Sequence, residues 1–162
     1  MRVDFTSFYE REAPRLVRSV SLAVGNPTLA EDAVAEAFAR AWVRWGDLGS
    51  GDQQPRAWIM RVALNQARDR FRRHRVERRK ARDVARPEAT YDLPVDHWLW
   101  DTVRSLPKAE CTLIALRYVG DLSQAEIADV LRVPPGTVAS GLNRARNKLG
   151  AALGPRYHEE IS

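Results

Sequence analysis

Six side chains between residues 137 and 148 have the types and spacing to act on one partner: Thr137, Ser140, Asn143, Arg144, Arg146 and Lys148. Hydroxyls and an amide can hydrogen-bond base edges, and cations can neutralise phosphates. Val138 and Leu142, four residues apart, give the same segment an inward side, so the six occupy the other faces of a helix. Pro135 and Gly136 open that helix. The run Arg132-Val133-Pro134-Pro135-Gly136 cannot continue the one before it, because two prolines remove donors and fix the backbone. The earlier helix starts at Ser123, which forms a capping box with Glu126, and Ile127, Ala128 and Leu131 make its apolar face. Residues 122–149 therefore read as a helix-turn-helix whose second member is suited to a DNA major groove.

No second chemistry competes with this one. The chain has 162 residues, a single cysteine (Cys111) and three histidines, at 74, 97 and 158. It shows no carboxylate cluster at metal-ligand spacing, no Ser/His/Asp set and no glycine-rich phosphate loop. The expectation is no enzyme, no catalytic residue, no cofactor and no metal. Cys111 sits in the apolar run CTLIAL and reads as a core residue. No run approaches the roughly 20 apolar residues of a membrane span. The charged start Met1-Arg2-Val3-Asp4 lacks an apolar signal region, so the expected location is cytoplasmic without membrane insertion.

Charge is concentrated rather than spread. The net charge of +5 and pI of 9.9 favour a polyanionic partner. Between Arg68 and Arg82, nine basic residues face only Asp69 and Glu77, an excess of +7 that exceeds the surplus of the whole chain. The remainder is mildly acidic, so affinity for DNA belongs to patches.

The elements that must position these residues are helical, since strand signals are nearly absent. The first runs from about Phe5 to Val24, with Phe5, Phe8, Tyr9, Leu16, Val20 and Val24 near one face, and Gly25-Asn26-Pro27 ends it. The second runs from about Leu29 to Trp45, opened by a capping box at Thr28 and Glu31. Its apolar stripe is Ala30, Ala33, Val34, Ala37, Phe38, Ala41 and Trp42. Residues 47–55 read as a polar loop. A third helix, about Arg56 to Arg73, offers Trp58, Ile59, Val62, Ala63 and Phe71 to a core. Residues 76–95 read as a basic linker, helical at its start. A helix over about Asp96–Leu106, with Trp98, Leu99 and Val103 inward, and one from Pro107 to a C-cap at Gly120 then precede the helix-turn-helix. The fold class is all-α: two small helical domains, 1–75 and 96–153, joined by the linker and followed by a tail at 154–162.

Taken in order, LAEDAVAEAFARAWVRW, PRAWIMRVALNQARDRFRR and LSQAEIADVLRVPPGTVASGLNRARNKL resemble the extracytoplasmic-function (group 4) sigma factors of bacterial RNA polymerase. The resemblance runs from Phe5 to Leu149. It implies a three-helix-type region 2, which binds core polymerase and reads and melts the −10 element, and a four-helix region 4, which reads the −35 element. Asp32, Glu36 and Arg40 match the surface for the clamp helices of the β′ subunit. Acidic residues near a helix N-terminus are stabilising anyway, so Asp32 has a second explanation. Arg61, Arg68, Arg72 and Arg73 match phosphate contacts, and Asn65 matches a residue facing a flipped base. Gln53 and Gln54 match the loop that forms the flipped-base pocket. Trp58 is open to base stacking or core packing, the second preferred.

In the helix-turn-helix, the resemblance makes Ser140, Asn143 and Arg144 base-edge or nearby phosphate contacts and puts Thr137, Arg146 and Lys148 on the backbone. Arg146 and Lys148 serve equally well as a solvated face. The family carries Gln at the place of Ala35, basic residues at those of Ala139 and Gly141, and Gly at that of Arg132. The expectation is altered −35 recognition, a helix weakened by about 1 kcal/mol at Gly141 relative to Ala, and a strained turn. The implied partners are RNA polymerase core, through its β′ clamp helices and β flap, promoter DNA, and an anti-sigma factor, unless expression level or turnover supplies the control. Roughly twenty linker residues span up to about 65 Å when extended, which suits two half-readers held on a larger scaffold. A stand-alone helix-turn-helix regulator that binds an operator without polymerase would explain 122–149 alone.

Overall fold

Asp4 begins the first helix by accepting a hydrogen bond from the Ser7 N–H at 3.1 Å through its carboxylate. The computed structural model of the chain describes residues 4–48, 54–81 and 97–154. Helix α1 spans Phe5–Val24 and ends where Gly25 takes a left-handed conformation (φ 73°). Asn26, not Thr28, caps α2 (Pro27–Val43): its Oδ1 accepts from the Leu29 N–H at 3.0 Å, with Pro27 at the first helical position. The expected capping box at Thr28 and Glu31 therefore lies inside the helix. A short turn, α3 (Trp45–Leu48), occupies the start of the expected loop, and the rest of that loop lies outside the described residues.

Helix α4 spans Pro55–Ala81 and is about 40 Å long at 1.5 Å per residue. It runs eight residues past the expected end at Arg73, so the basic run is helical through its first part. The rest of the expected linker, and the tail beyond Gly154, lie outside the described residues. Helices α1, α2 and α4 pack on one another. Leu16, Val20, Ala33, Ala37, Ile59, Met60, Ala63 and Leu64 close their shared core, all at most 1% exposed. Each fully buried Leu or Ile contributes about 1.5–3 kcal/mol. Tyr9 and Trp42, expected on inward faces, are 44% and 61% exposed. Both lie on the rim, where Phe5 meets Trp42 edge-on at 4.9 Å and Tyr9 meets Phe38 at the same distance.

The second compact unit holds α5 (His97–Arg104), α6 (Lys108–Ile114), α7 (Gln124–Leu131) and α8 (Pro135–Leu153). Trp100 joins Leu99 and Val103 in the core, while Trp98 is only half-buried. Helix α6 widens into a π turn over Ala115–Val119, and the Gly120 N–H donates to the Ala115 carbonyl at 2.9 Å. Gly120 keeps a right-handed backbone and is not a left-handed cap; the next residue, Asp121, takes the positive φ of 57°. Ser123 and Glu126 form the expected reciprocal capping box at 3.0 and 3.1 Å. Arg132 is left-handed (φ 56°, ψ 48°) where α7 ends, which costs about 1–2 kcal/mol for a residue with a Cβ. The described residues contain no strand.

Candidate nucleic-acid interface

The first candidate surface is built by the spacing of α4. Gln54, Arg61, Asn65, Arg68 and Arg72 follow one another at intervals of 7, 4, 3 and 4 residues, which keeps them on one stripe of a 3.6-residue helix. The buried residues Ile59, Met60, Ala63, Leu64 and Ala67 lie on the opposite side. Gln54, Asn65, Arg72 and Arg73 are exposed, and Arg61 and Arg68 half-buried. Burial and the neighbouring charge of Arg72 lower the pKa of Arg68 from its ordinary value. Arg72 pairs with Asp69 one turn back, a surface contact that exchanges readily for a phosphate. Gln53 lies outside the described residues. Trp58 is half-buried, its ring faced by the Arg44 guanidinium at 5.4 Å, so its face already has a cation on it.

Two carboxylates hold α4 from behind. Glu12 of α1, fully buried, accepts from Arg56 Nε at 2.8 Å and Arg56 Nη2 at 2.9 Å, with Arg11 at 3.2 Å and Arg15 at 3.6 Å. Burial alone would raise the Glu12 carboxyl; the hydrogen bonds from Arg56 and Arg11 and the charges of Arg56 and Arg15 outweigh it and hold it below its usual range. Glu36 of α2 bridges Arg40 at 2.8 Å and Arg70 of α4 at 2.5 Å. Glu36 is thus an internal tie between α2 and α4, and only Asp32 and Arg40 of the three candidate polymerase contacts are exposed.

The second surface divides by face. Gly136, Ser140, Asn143 and Asn147 recur at 4, 3 and 4 residues on the side of α8 opposite Val138, Leu142, Ala145 and Leu149, and all four are exposed. Asn147 belongs to this line and went unremarked in the sequence, although its four-residue spacing from Asn143 is the signal that finds it. Ser140 Oγ donates to the Gly136 carbonyl at 2.8 Å, which leaves its lone pairs outward. Thr137 and Arg144 flank the line and are exposed. Lys148 Nζ donates to both oxygens of the buried Glu110 at 2.8 and 2.9 Å, and Arg144 Nε lies 3.8 Å from the same carboxylate. Arg146 Nε donates to Tyr118 Oη at 2.7 Å.

One expectation is corrected outright. Gly141 faces the core, not DNA: a Cβ there would lie 2.3 Å from Leu113 Cδ1. The glycine permits α6 and α8 to approach closely, so its lack of a basic side chain removes no nucleic-acid contact. Ala139, by contrast, is exposed. Cys111 is buried, and burial pushes its thiol up to about 11. It is a protonated, unreactive core residue. Among the described residues no three of His, Cys, Asp and Glu group as metal ligands would, and no helix is long and apolar enough to cross a membrane.

Comparison with known proteins gives these surfaces a context. Residues 8–77 match the family model for sigma-70 region 2, and residues 96–149 that for sigma-70 region 4. The RNA polymerase sigma-H factor of Pseudomonas aeruginosa is 31% identical over 152 residues, covering 80% of this chain and 76% of its own. The extracytoplasmic-function sigma factor SigW of Bacillus subtilis is 29% identical over 147 residues, covering 80% and 78%. The sigma factor RpoE of Bartonella quintana, solved with the anti-sigma factor NepR, shares the fold at a TM-score of 0.72 and 20% identity, over 92% of this chain and 98% of its own. CnrH, solved with the cytosolic domain of CnrY, matches at 0.61 and 27% identity, over 92% and 86%.

Proposed function

The chain belongs to the extracytoplasmic-function group of the sigma-70 family, and on that premise we propose how its residues divide the work. It is a sigma factor: it binds RNA polymerase core and directs initiation at promoters whose −10 and −35 elements it reads. In our assignment the stripe Gln54, Arg61, Asn65, Arg68 and Arg72, with Arg73 beside it and Gln53 before it, takes the −10 strand. The arginines hold phosphates and Asn65 pairs with the edge of an unstacked base. Thr137, Ser140, Asn143 and Asn147 face the −35 duplex, with Arg144, Arg146 and Lys148 at its flanks, where Glu110 and Tyr118 already engage them. Asp32 and Arg40 meet the polymerase clamp, while Glu36 acts mainly inside the unit. The protein performs no chemistry of its own; polymerase forms the bonds, in the cytoplasm. In this reading residues 1–75 form region 2, 76–95 the linker, 96–153 region 4 and 154–162 the tail.

The observation that supports this reading is the order of two separate helical units, each with one long helix whose polar stripe faces away from its core. A stand-alone regulator would leave the whole first unit without a use. The test is run-off transcription with core polymerase and this protein on a genomic library, followed by mapping of start sites. Discrete starts sharing two spaced elements are expected; no initiation at any site overturns the reading.

A further inference from the structure

A positively charged residue in the first turn of a helix is disfavoured by the exposed N–H groups and the helix dipole. Arg56 is such a residue, second in the 27-residue α4. It lies on the inward side of that helix, in line with Ile59, Met60 and Ala63, where an unpaired guanidinium would be costly. Glu12 answers both problems. Its carboxylate is fully buried on α1, 44 residues earlier in the chain, and grips Arg56 at two points, 2.8 and 2.9 Å. A two-point carboxylate–guanidinium contact fixes direction as well as distance. Here it fixes the rotation of α4 about its axis at the end where the chain enters from Gln54.

That rotation matters because Gln54, Arg61 and Asn65 lie on the stripe opposite Arg56, at 7 and 4 residues' spacing. Turning the first turns of α4 swings all three together. We propose that Glu12 is a positioning residue for −10 reading: through Arg56 it locks the rotation of α4 and so the placement of Gln54, Arg61 and Asn65 against the unpaired base. The proposal rests on the sigma-factor reading above. Arg11 and Arg15 sit on the same carboxylate from α1 itself, so Glu12 keeps local cations when Arg56 is altered.

The test uses the full chain with core polymerase on a promoter found by the mapping experiment, and on the same promoter with its flipped −10 base replaced. The readout is the ratio of initiation on the two templates, which a loss of folded protein does not change, because both templates lose equally. Wild type is expected to discriminate; if it initiates nowhere, the sigma-factor reading fails rather than this one. Glu12→Gln is expected to lower the ratio about tenfold, within the range of one lost base contact, while affinity for a −35 duplex stays within twofold. Arg56→Lys keeps the charge without the two-point grip and is expected to lower the ratio as well, with core binding retained. It also decides the matter if Glu12→Gln fails to fold. An unchanged ratio in Arg56→Lys, whatever its total activity, overturns the proposal and leaves Glu12 as a brace alone.

Discussion

Both reading helices are held from behind by a buried glutamate, but the two glutamates hold different kinds of residue. Glu12 takes Arg56, which faces inward, and leaves Arg61, Arg68 and Arg73 outside every ion pair among the described residues. Glu110 takes Lys148 and draws Arg144, both from the flank of the DNA-facing side, while Tyr118 takes Arg146. In the proposed assignment the first helix therefore meets a polyanion with arginines, and the second largely with hydroxyls and amides. The number of basic residues on a helix is not the number it offers: a cation beside a buried acid is already engaged. The first unit should supply most of the salt-dependent affinity, and the second should read by shape and hydrogen bonds.

The hardest blow to this contrast falls on the second unit. Gly141→Arg places a Cβ and more against Leu113, and overpacking of this kind costs about 1–3 kcal/mol or beyond. Thermal unfolding of the second unit should drop by several degrees and −35 affinity should fall; a rise in affinity would show the position to be outward after all. Next comes Glu110→Gln, which releases Lys148 and Arg144. Stability should fall by roughly 1–3 kcal/mol, yet the salt dependence of −35 duplex binding should steepen by about one or two released ions. An unchanged slope would mean that the two cations already touch phosphate. The smallest effect is that of Ala139→Lys. It adds a cation at an exposed place and should strengthen −35 binding only severalfold at low salt, with a slope steeper by about one ion.

Local signals were legible in the chain, and contacts between distant segments were not. The capping box at Ser123 and Glu126 needs only four residues and formed as expected. The start of α2 moved to Asn26 because Asn followed by Pro outcompetes a threonine two residues on. Periodicity found Leu16, Ala33, Ile59 and Val138 but misjudged Trp42 and Tyr9, since a stripe says which side faces in and not where its rim falls. The candidate site was read as types and positions. What the sequence left open was which cations another helix would occupy: Glu110 lies 38 residues from Lys148, and Glu36 lies 34 from Arg70. Gly141 shows the same limit, for its meaning depends on Leu113, 28 residues earlier.

The π turn at Ala115–Val119 has a consequence for length rather than for residue type. A π turn is geometrically an α-helix with one residue more than its rise requires. The turn takes up that residue within itself, so removing one residue there would restore ordinary winding without the rotation of about 100° that a deletion causes elsewhere in an α-helix. The side chains are held more tightly: Leu116 and Leu122 are fully buried, Tyr118 accepts from Arg146, and Ser123 caps α7. In variants of this chain, a one-residue deletion within 115–119 that spares Leu116 and Tyr118 should therefore be borne better than a deletion inside α8.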